Sequence, residues 1–229
     1  DHDSDLIVLC GDIGPGLSGL AWAGREMNRL GKQVLYVPGN HEFYNREYIS
    51  HLNRMKSKAE DLGVVLLLDS VYEHNGYRFI GSTLWTSFLD DNGVIDEEAI
   101  WQAGDRMPDF SEIRFGRDLF APGDAQAIHL ASMAFIEREL LVSEKEKTVL
   151  VTHHGPSHLC VNPKFPFRPL SRCFTSNAER LLGRSSLWLY GHTHASLDFN
   201  LKGTRVISNQ MGYPGESGCG FNPDLVIDI

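Results

Sequence analysis

The sequence predicts an α/β fold, and three observations carry that reading. Short apolar runs alternate with amphipathic helical stretches along most of the 229 residues. Several of the runs end in loops rich in Gly, Asp, Asn and His, as when strands deliver polar side chains to one edge of a sheet. The composition is that of a folded chain, 42% hydrophobic and 22% charged, and the length suffices for a core without staples.

Taken in order, residues 6–10 (Leu-Ile-Val-Leu-Cys) read as a buried strand delivering Gly11-Asp12. Residues 17–30 are helical in pattern and stop at Gly31, and residues 34–37 form a second strand that delivers Pro38-Gly39-Asn40-His41-Glu42. A helix is expected from about residue 46 to 62, where Tyr48, Ile49, Leu52, Met55, Ala59 and Leu62 recur at three- and four-residue spacing before Gly63. A third strand follows at 64–68, then a hairpin over 71–85 with Asn75-Gly76 as its turn. From 86 to 123 the periodicity dissolves into acidic residues, Gly, Pro and scattered aromatics. This segment is expected to be an irregular insertion or cap over a functional site. A helix over 124–142, strands at 148–152 and 187–190, a hairpin around Lys202-Gly203 and a last strand at 225–229 complete the chain. No repeat or linker breaks it, so one domain over residues 1–229 is expected.

The charge balance, 21 Lys+Arg against 30 Asp+Glu, gives −9 and argues against long nucleic acid or an anionic membrane as partner. It leaves room for a small anionic substrate held by a metal. Four cysteines make no disulfide framework in a chain of this length. With no membrane-spanning run and no signal peptide pattern, a cytoplasmic protein is expected.

Four strands end in side chains able to bind metal: Asp12, Asn40 with His41, His153, and His192 with His194. Each alone is weak, since Gly-Asp and Asn-His commonly occupy turns. Gly191-His192-Thr193-His194 says more, because residues two apart on an extended chain point the same way and would aim two imidazoles at one volume. Together, each after an apolar strand, they point to a site for Zn, Fe, Ni or Mn.

In these four blocks the sequence resembles the calcineurin-like metallophosphoesterases, whose linear pattern is D-x-H, G-D, G-N-H-[DE], H and G-H-x-H. Gly11-Asp12, Gly39-Asn40-His41-Glu42, His153 and Gly191 to His194 match the last four blocks. Residues 81–86, 151–157 and 205–216 are similar to the small bacterial predicted phosphohydrolases of that family. The resemblance implies a four-layer α/β/β/α sandwich of two mixed sheets with helices outside. It implies two divalent ions (Mn favoured among Mn, Fe, Zn and Ni) and hydrolysis of a phosphodiester or phosphomonoester by a metal-bridging hydroxide. It also implies roles: Asp12 bridging both metals, Asn40, His153 and His192 completing the second metal's shell, and His194 contributing to the first. His41 would protonate the leaving oxygen, and Asn40 and His41 would contact the substrate.

One block is missing. No D-x-H precedes Asp12 with the family's spacing, and Asp1-His2-Asp3 does not supply it. Either an N-terminal segment bearing the block precedes Asp1, which is the favoured expectation because the missing part is also a core strand, or the block is naturally absent and the site crippled. The chain as read then keeps a near-complete shell for one metal and only Asp12 and His194 for the other, so one metal, feeble hydrolysis and a gap beside the first strand are expected. Asp12 is followed by Ile-Gly-Pro-Gly and not by Asp-Arg-Gly, which disfavours the protein phosphatase branch. His154 is expected behind the ligands or at the surface, His51, His74, His129 and His158 to be structural or solvated, and Cys160 and Cys173 to be inert. Trp85 and Trp101 suit either the core or the wall of the site. The rival reading is a non-catalytic interaction module on the same fold with a decayed metal site. Retention of His41 argues against it, since a scaffold needs no general acid. The sequence does not fix an oligomeric state.

Overall fold

The alternation of strands and helices folds into two sheets lying face to face, in a computed structural model that describes residues 4–90 and 92–229. Asp1-His2-Asp3 lies outside the described residues. The strands β1 (Leu6–Leu9), β2 (Gln33–Tyr36) and β3 (Val65–Leu66) form a parallel three-stranded sheet in that order. The next two, β4 (Ser70–His74) and β5 (Tyr77–Ser82), are antiparallel around Asn75-Gly76, and β6 (Arg114–Phe115) with β7 (Asp118–Leu119) makes a separate small hairpin. With β8 (Thr148–Thr152), β9 (Leu187–Leu189), β10 (Asp198–Leu201) and β11 (Thr204–Ile207), a mixed six-stranded sheet runs β10-β11-β9-β8-β5-β4. Its β5, β8, β9 and β11 are mutually parallel where they pair.

The period-two pattern of β2 shows how the layers form. Val34 and Tyr36 turn outward to Leu20 and Ala23 of α1 (Ser18–Leu30) and Met55 and Ala59 of α2 (Tyr48–Leu62). Leu35, and Val37 just beyond the strand, face inward to Phe79, Val149, Val151 and Ile207 of the second sheet. Burying each such aliphatic side chain contributes about 1.5–3 kcal/mol. The far face of the second sheet packs Ile80, Leu150 and Trp188 against Met133, Ile136 and Leu140 of α5 (Pro122–Leu141). The result is the α/β/β/α layering. No helix among the described residues is long and apolar enough to cross a membrane.

Two stretches differ from the sequence reading. Residues 86–123 are not irregular: they hold α3 (Glu97–Arg106), α4 (Asp109–Glu112) and the β6-β7 hairpin, and they pack Phe88, Phe110, Ile113 and Phe120 into the outer core. The helix was hard to see because its buried face is Ala99 and Ala103, which carry little hydropathy. Its start was visible in Asp96, whose carboxylate accepts from the Ala99 N–H, followed by Glu97 and Glu98 in the first turn. Residues 225–229 form no strand. A strand needs a neighbour to pair with, and this run instead lines a cavity of about 1180 Å³ along the free side of β1, where Ile227 joins the inter-sheet core. That cavity extends to Asp12, His41 and His194.

One buried histidine makes stability pH-dependent. His129 on α5 is 2% exposed and bonds the Leu84 carbonyl through Nδ1 at 2.9 Å, and burial lowers its pKa to about 4. The unfolded chain titrates near 6.5, so the stability it confers is present above that pH and is lost as pH falls towards 4, by up to roughly 3 kcal/mol. Urea denaturation at pH 7.5 and pH 5 is expected to show this loss, and His129→Gln to reduce it. An unchanged pH dependence in that variant would contradict the assignment.

Candidate metal centre

The loops that follow β1, β2, β8 and β9 converge, and their approach is set by glycine. A Cβ at Gly11 would fall on the His153 ring and the Gly39 backbone, and one at Gly39 on the Asp12 side chain. No other residue lets these strand ends sit this close. Asp12 (φ 57), His192 (φ 69) and His194 (φ 49) take left-handed backbone, which costs of order 1–3 kcal/mol each and persists where packing enforces it.

What enforces it at Asp12 is Glu42. Its fully buried carboxylate accepts N–H bonds from Asp12 (3.0 Å), Gly39 (2.7 Å) and Ile13 (2.9 Å), and the Tyr36 hydroxyl donates to it at 2.7 Å. One side chain thus ties the first loop to the second. Burial, with Asp12 nearby, pushes the Glu42 pKa up, while the donors oppose that rise.

Four side chains then present atoms to one small volume. His153 Nε2 lies 3.2 Å from Asp12 Oδ2, 3.0 Å from Asn40 Oδ1 and 3.1 Å from His192 Nδ1. Donor atoms of Asp12, His153 and His192 all fall within 4.8 Å of one another. The roles are readable from the other ends of these groups. His153 donates through Nδ1 to the Cys10 carbonyl at 2.6 Å, which leaves a lone pair on Nε2 in the neutral ring. Asn40 uses its Nδ2 to donate to Asp109 (2.6 Å) and Tyr44 (3.0 Å), so its carbonyl oxygen faces inward. His192 Nε2 is buried with no hydrogen-bond partner, and its Nδ1 faces the centre. With His153 neutral, four electron pairs face one another, and the donor set of two imidazoles, a carboxylate and an amide oxygen fits a divalent transition metal.

The electrostatics favour positive charge beside Asp12. Burial works against the charge on His153, but the Asp12 carboxylate outweighs it and raises that pKa. Burial would raise the Asp12 carboxyl, yet His153 and His192 hold it well below the usual range. Burial lowers His192 to about 4, keeping it neutral and able to ligate.

The rest of the predicted set lies around this cluster. His41 donates its backbone N–H to Asp12 Oδ1 at 3.0 Å, stacks on Tyr44 with centroids 4.4 Å apart, and holds Nε2 3.9 Å from Asp12 Oδ2. His194 departs from the geometry expected of it. The chain at Gly191 to His194 is turned, not extended, with Thr193 N–H donating to the Gly191 carbonyl, so the extended-chain spacing of the two imidazoles does not apply. His194 bonds Glu216 Oε2 through Nδ1 at 2.7 Å and meets the Tyr213 ring edge-on at 4.6 Å. Tyr213 in turn places its hydroxyl 3.3 Å from His41 Nε2.

His154 is buried behind this cluster, bonded to the Thr83 carbonyl and with its ring 4.4 Å from that of His192. Trp85 is core and Trp101 is 60% exposed. Cys160 and Cys173 are buried free thiols, the former pushed up to about 12 by burial. Asp109, Tyr44, Tyr213 and Glu216 were not singled out from the sequence: Tyr44, Tyr213 and Glu216 lie in or beside family-like segments but outside their metal-capable residues, and Asp109 comes from a segment without a motif.

The chain belongs to the calcineurin-like phosphoesterase family, whose sequence profile matches residues 1–196. It is thereby a phosphoester hydrolase of a metal-dependent kind. It is 26% identical over 245 residues to the uncharacterized protein L509 of Acanthamoeba polyphaga mimivirus, covering 100% of this chain and 85% of that protein. Its fold is similar to the crystal structure of phosphopantetheinyl hydrolase (PptH) from Mycobacterium tuberculosis, with a TM-score of 0.68 and 19% identity over 91% of this chain and 79% of that one.

Glu42→Gln tests the strand-end junction. An amide would turn an N–H₂ towards backbone N–H groups that need an acceptor, at a cost of about 3 kcal/mol. The variant is expected to melt lower and to bind Mn²⁺ more weakly than the parent. Parental melting and parental Mn²⁺ affinity together would show that the junction holds without it.

Proposed function

We propose that Asp12, Asn40, His153 and His192 hold a divalent transition metal, Mn²⁺ the first to try, and that the chain hydrolyses a small phosphate ester there. The observation that carries this is the convergence of Asp12, Asn40 and His192 around His153 Nε2, with the outer atoms of His153, Asn40 and Asp12 already committed. His194 with Asp12 would contribute to a second metal. Bound divalent ions supply charge neutralisation at phosphoryl oxygens and acidification of water.

The remaining work falls to the chain. His41 is the general acid: Nε2 delivers a proton to the leaving oxygen, with the ring held by Tyr44 and by its own backbone bond to Asp12. His41 meets the substrate at the mouth of the cluster, whereas Asn40, 1% exposed and engaged at both ends of its amide, serves the metal and not the substrate. Residues 86–123 reach the centre behind it through Asp109. A net charge of −9 does not oppose an anionic substrate at this point, because the local field is that of the metal and the imidazoles.

With Mn²⁺ supplied, hydrolysis of a nitrophenyl phosphate ester and its abolition by a chelator are expected. On an alkyl ester, whose poor leaving group needs a proton, His41→Ala is expected to cut turnover by about 10²–10⁴-fold with metal content unchanged. His192→Ala should lose the metal. Turnover that survives chelation, or a His192→Ala protein that retains its metal, refutes the reading.

A further inference from the structure

We propose that Asp109 is the positioning residue of Asn40, deciding which end of its amide faces the four-loop centre. The proposal rests on the reading of Asn40 as a metal ligand. An asparagine side chain has two ends of nearly equal shape and opposite character, a carbonyl oxygen that can ligate and an N–H₂ that cannot. Rotation about the last side-chain bond exchanges them. Only the partners of the amide set its direction.

Here the partners are decisive. Asn40 Nδ2 donates to Asp109 Oδ1 at 2.6 Å and to the Tyr44 hydroxyl at 3.0 Å, while Oδ1 stands 3.0 Å from His153 Nε2. A half-turn of the amide would set its oxygen against the Asp109 carboxylate. It would also aim two N–H bonds at the volume that a cation is to fill. Asn40 is 1% exposed and Asp109 4%, so water does not substitute for either contact. A flipped Asn40 would repel a cation instead of merely failing to bind it.

Asp109 comes from 69 residues along the chain, at the start of α4. Its position is fixed by apolar packing, since Phe110 and Ile113 on either side of that short helix are part of the outer core. The same carboxyl group hydrogen-bonds the Tyr44 hydroxyl, and Tyr44 is the ring on which His41 stacks. Residues 86–123 therefore act on the centre through one oxygen atom, and through the wall on which the general acid rests.

The test uses the full chain and Co²⁺, whose visible absorption reports both affinity and coordination. Wild type is compared with Asp109→Asn, Asp109→Leu, Asp109→Ser and Asn40→Ala. The leucine variant removes the acceptor at similar volume, and the serine variant replaces it if leucine prevents folding. Both are expected to weaken Co²⁺ binding by about 10–100-fold, whereas Asp109→Asn, which still offers an oxygen to Asn40, should stay within about threefold of wild type. In the metal-free proteins, the Asn40 side-chain amide protons should exchange slowly in wild type and Asp109→Asn and rapidly in Asp109→Ser. If Asn40→Ala weakens Co²⁺ binding while Asp109→Leu and Asp109→Ser do not, the positioning role is wrong and the metal assignment stands. If Asp109→Asn is as weak as Asp109→Ser, charge and not orientation is at work, and the proposal falls. If wild type fails to bind Co²⁺, or Asn40→Ala binds it as tightly as wild type, the assignment of Asn40 as ligand fails and takes this proposal with it.

Discussion

A single buried carboxylate, that of Glu42, holds the two leading strand ends in register with one another. Backbone N–H groups on both loops are left unpaired where the strands stop, and they point into protein where water cannot serve them. Glu42 answers them from 0% exposure, with Tyr36 beneath. Everything nearer the centre inherits its place from that junction. Asp12 is held in left-handed backbone by its N–H bond to Glu42, and His41 is oriented by its own N–H bond to Asp12. The glycines at 11 and 39 permit the approach, and the carboxylate makes it favourable.

The sequence disclosed the scaffold better than the connections across it. Alternation in β2 and the spacing of Tyr48, Met55 and Ala59 on α2 are local patterns, and both were readable because burial imposes a period on one segment at a time. The four loop blocks were readable for the same reason, each being a short run after a strand. Asp109 was not, because its meaning comes from a neighbour 69 residues away. Nor was the turn at His192 and His194, since the extended-chain rule fails once the backbone turns to positive φ. The alanine face of α3 escaped because burial there is achieved with small side chains, and 225–229 read as a strand because apolar alternation reports buried faces, not pairing partners.

Aromatic packing gives the site a rigid back. Phe43, in the turn that carries His41, stacks on Tyr48 with centroids 4.6 Å apart, and Tyr48 stacks on Phe120 at 5.7 Å. Phe120 reaches both Trp85 (4.8 Å) and Phe110 (5.8 Å), the residue next to Asp109. Offset and edge contacts of this kind add about 0.5–1.5 kcal/mol each beyond the area they bury. They join α2, the end of β5 and the 86–123 segment into one block. His41 and Asp109 stand at two edges of that block, so their separation is set by packed rings and not by flexible chain.

The distance in sequence between the converging side chains has a further consequence. Cys10 and His153, in direct contact, are 143 residues apart, and Asn40 and His153 are 113 apart. None of these groups is near another in an unfolded chain, so an ion that binds among them binds the native state almost exclusively. Folding and ion concentration are then linked by mass action: at a hundred times the dissociation constant the native state gains about 2.7 kcal/mol. Stability becomes a property of the solution as well as of the chain. A melting temperature taken in chelator and one taken in excess metal describe two different equilibria, and the difference between them measures the affinity of the centre.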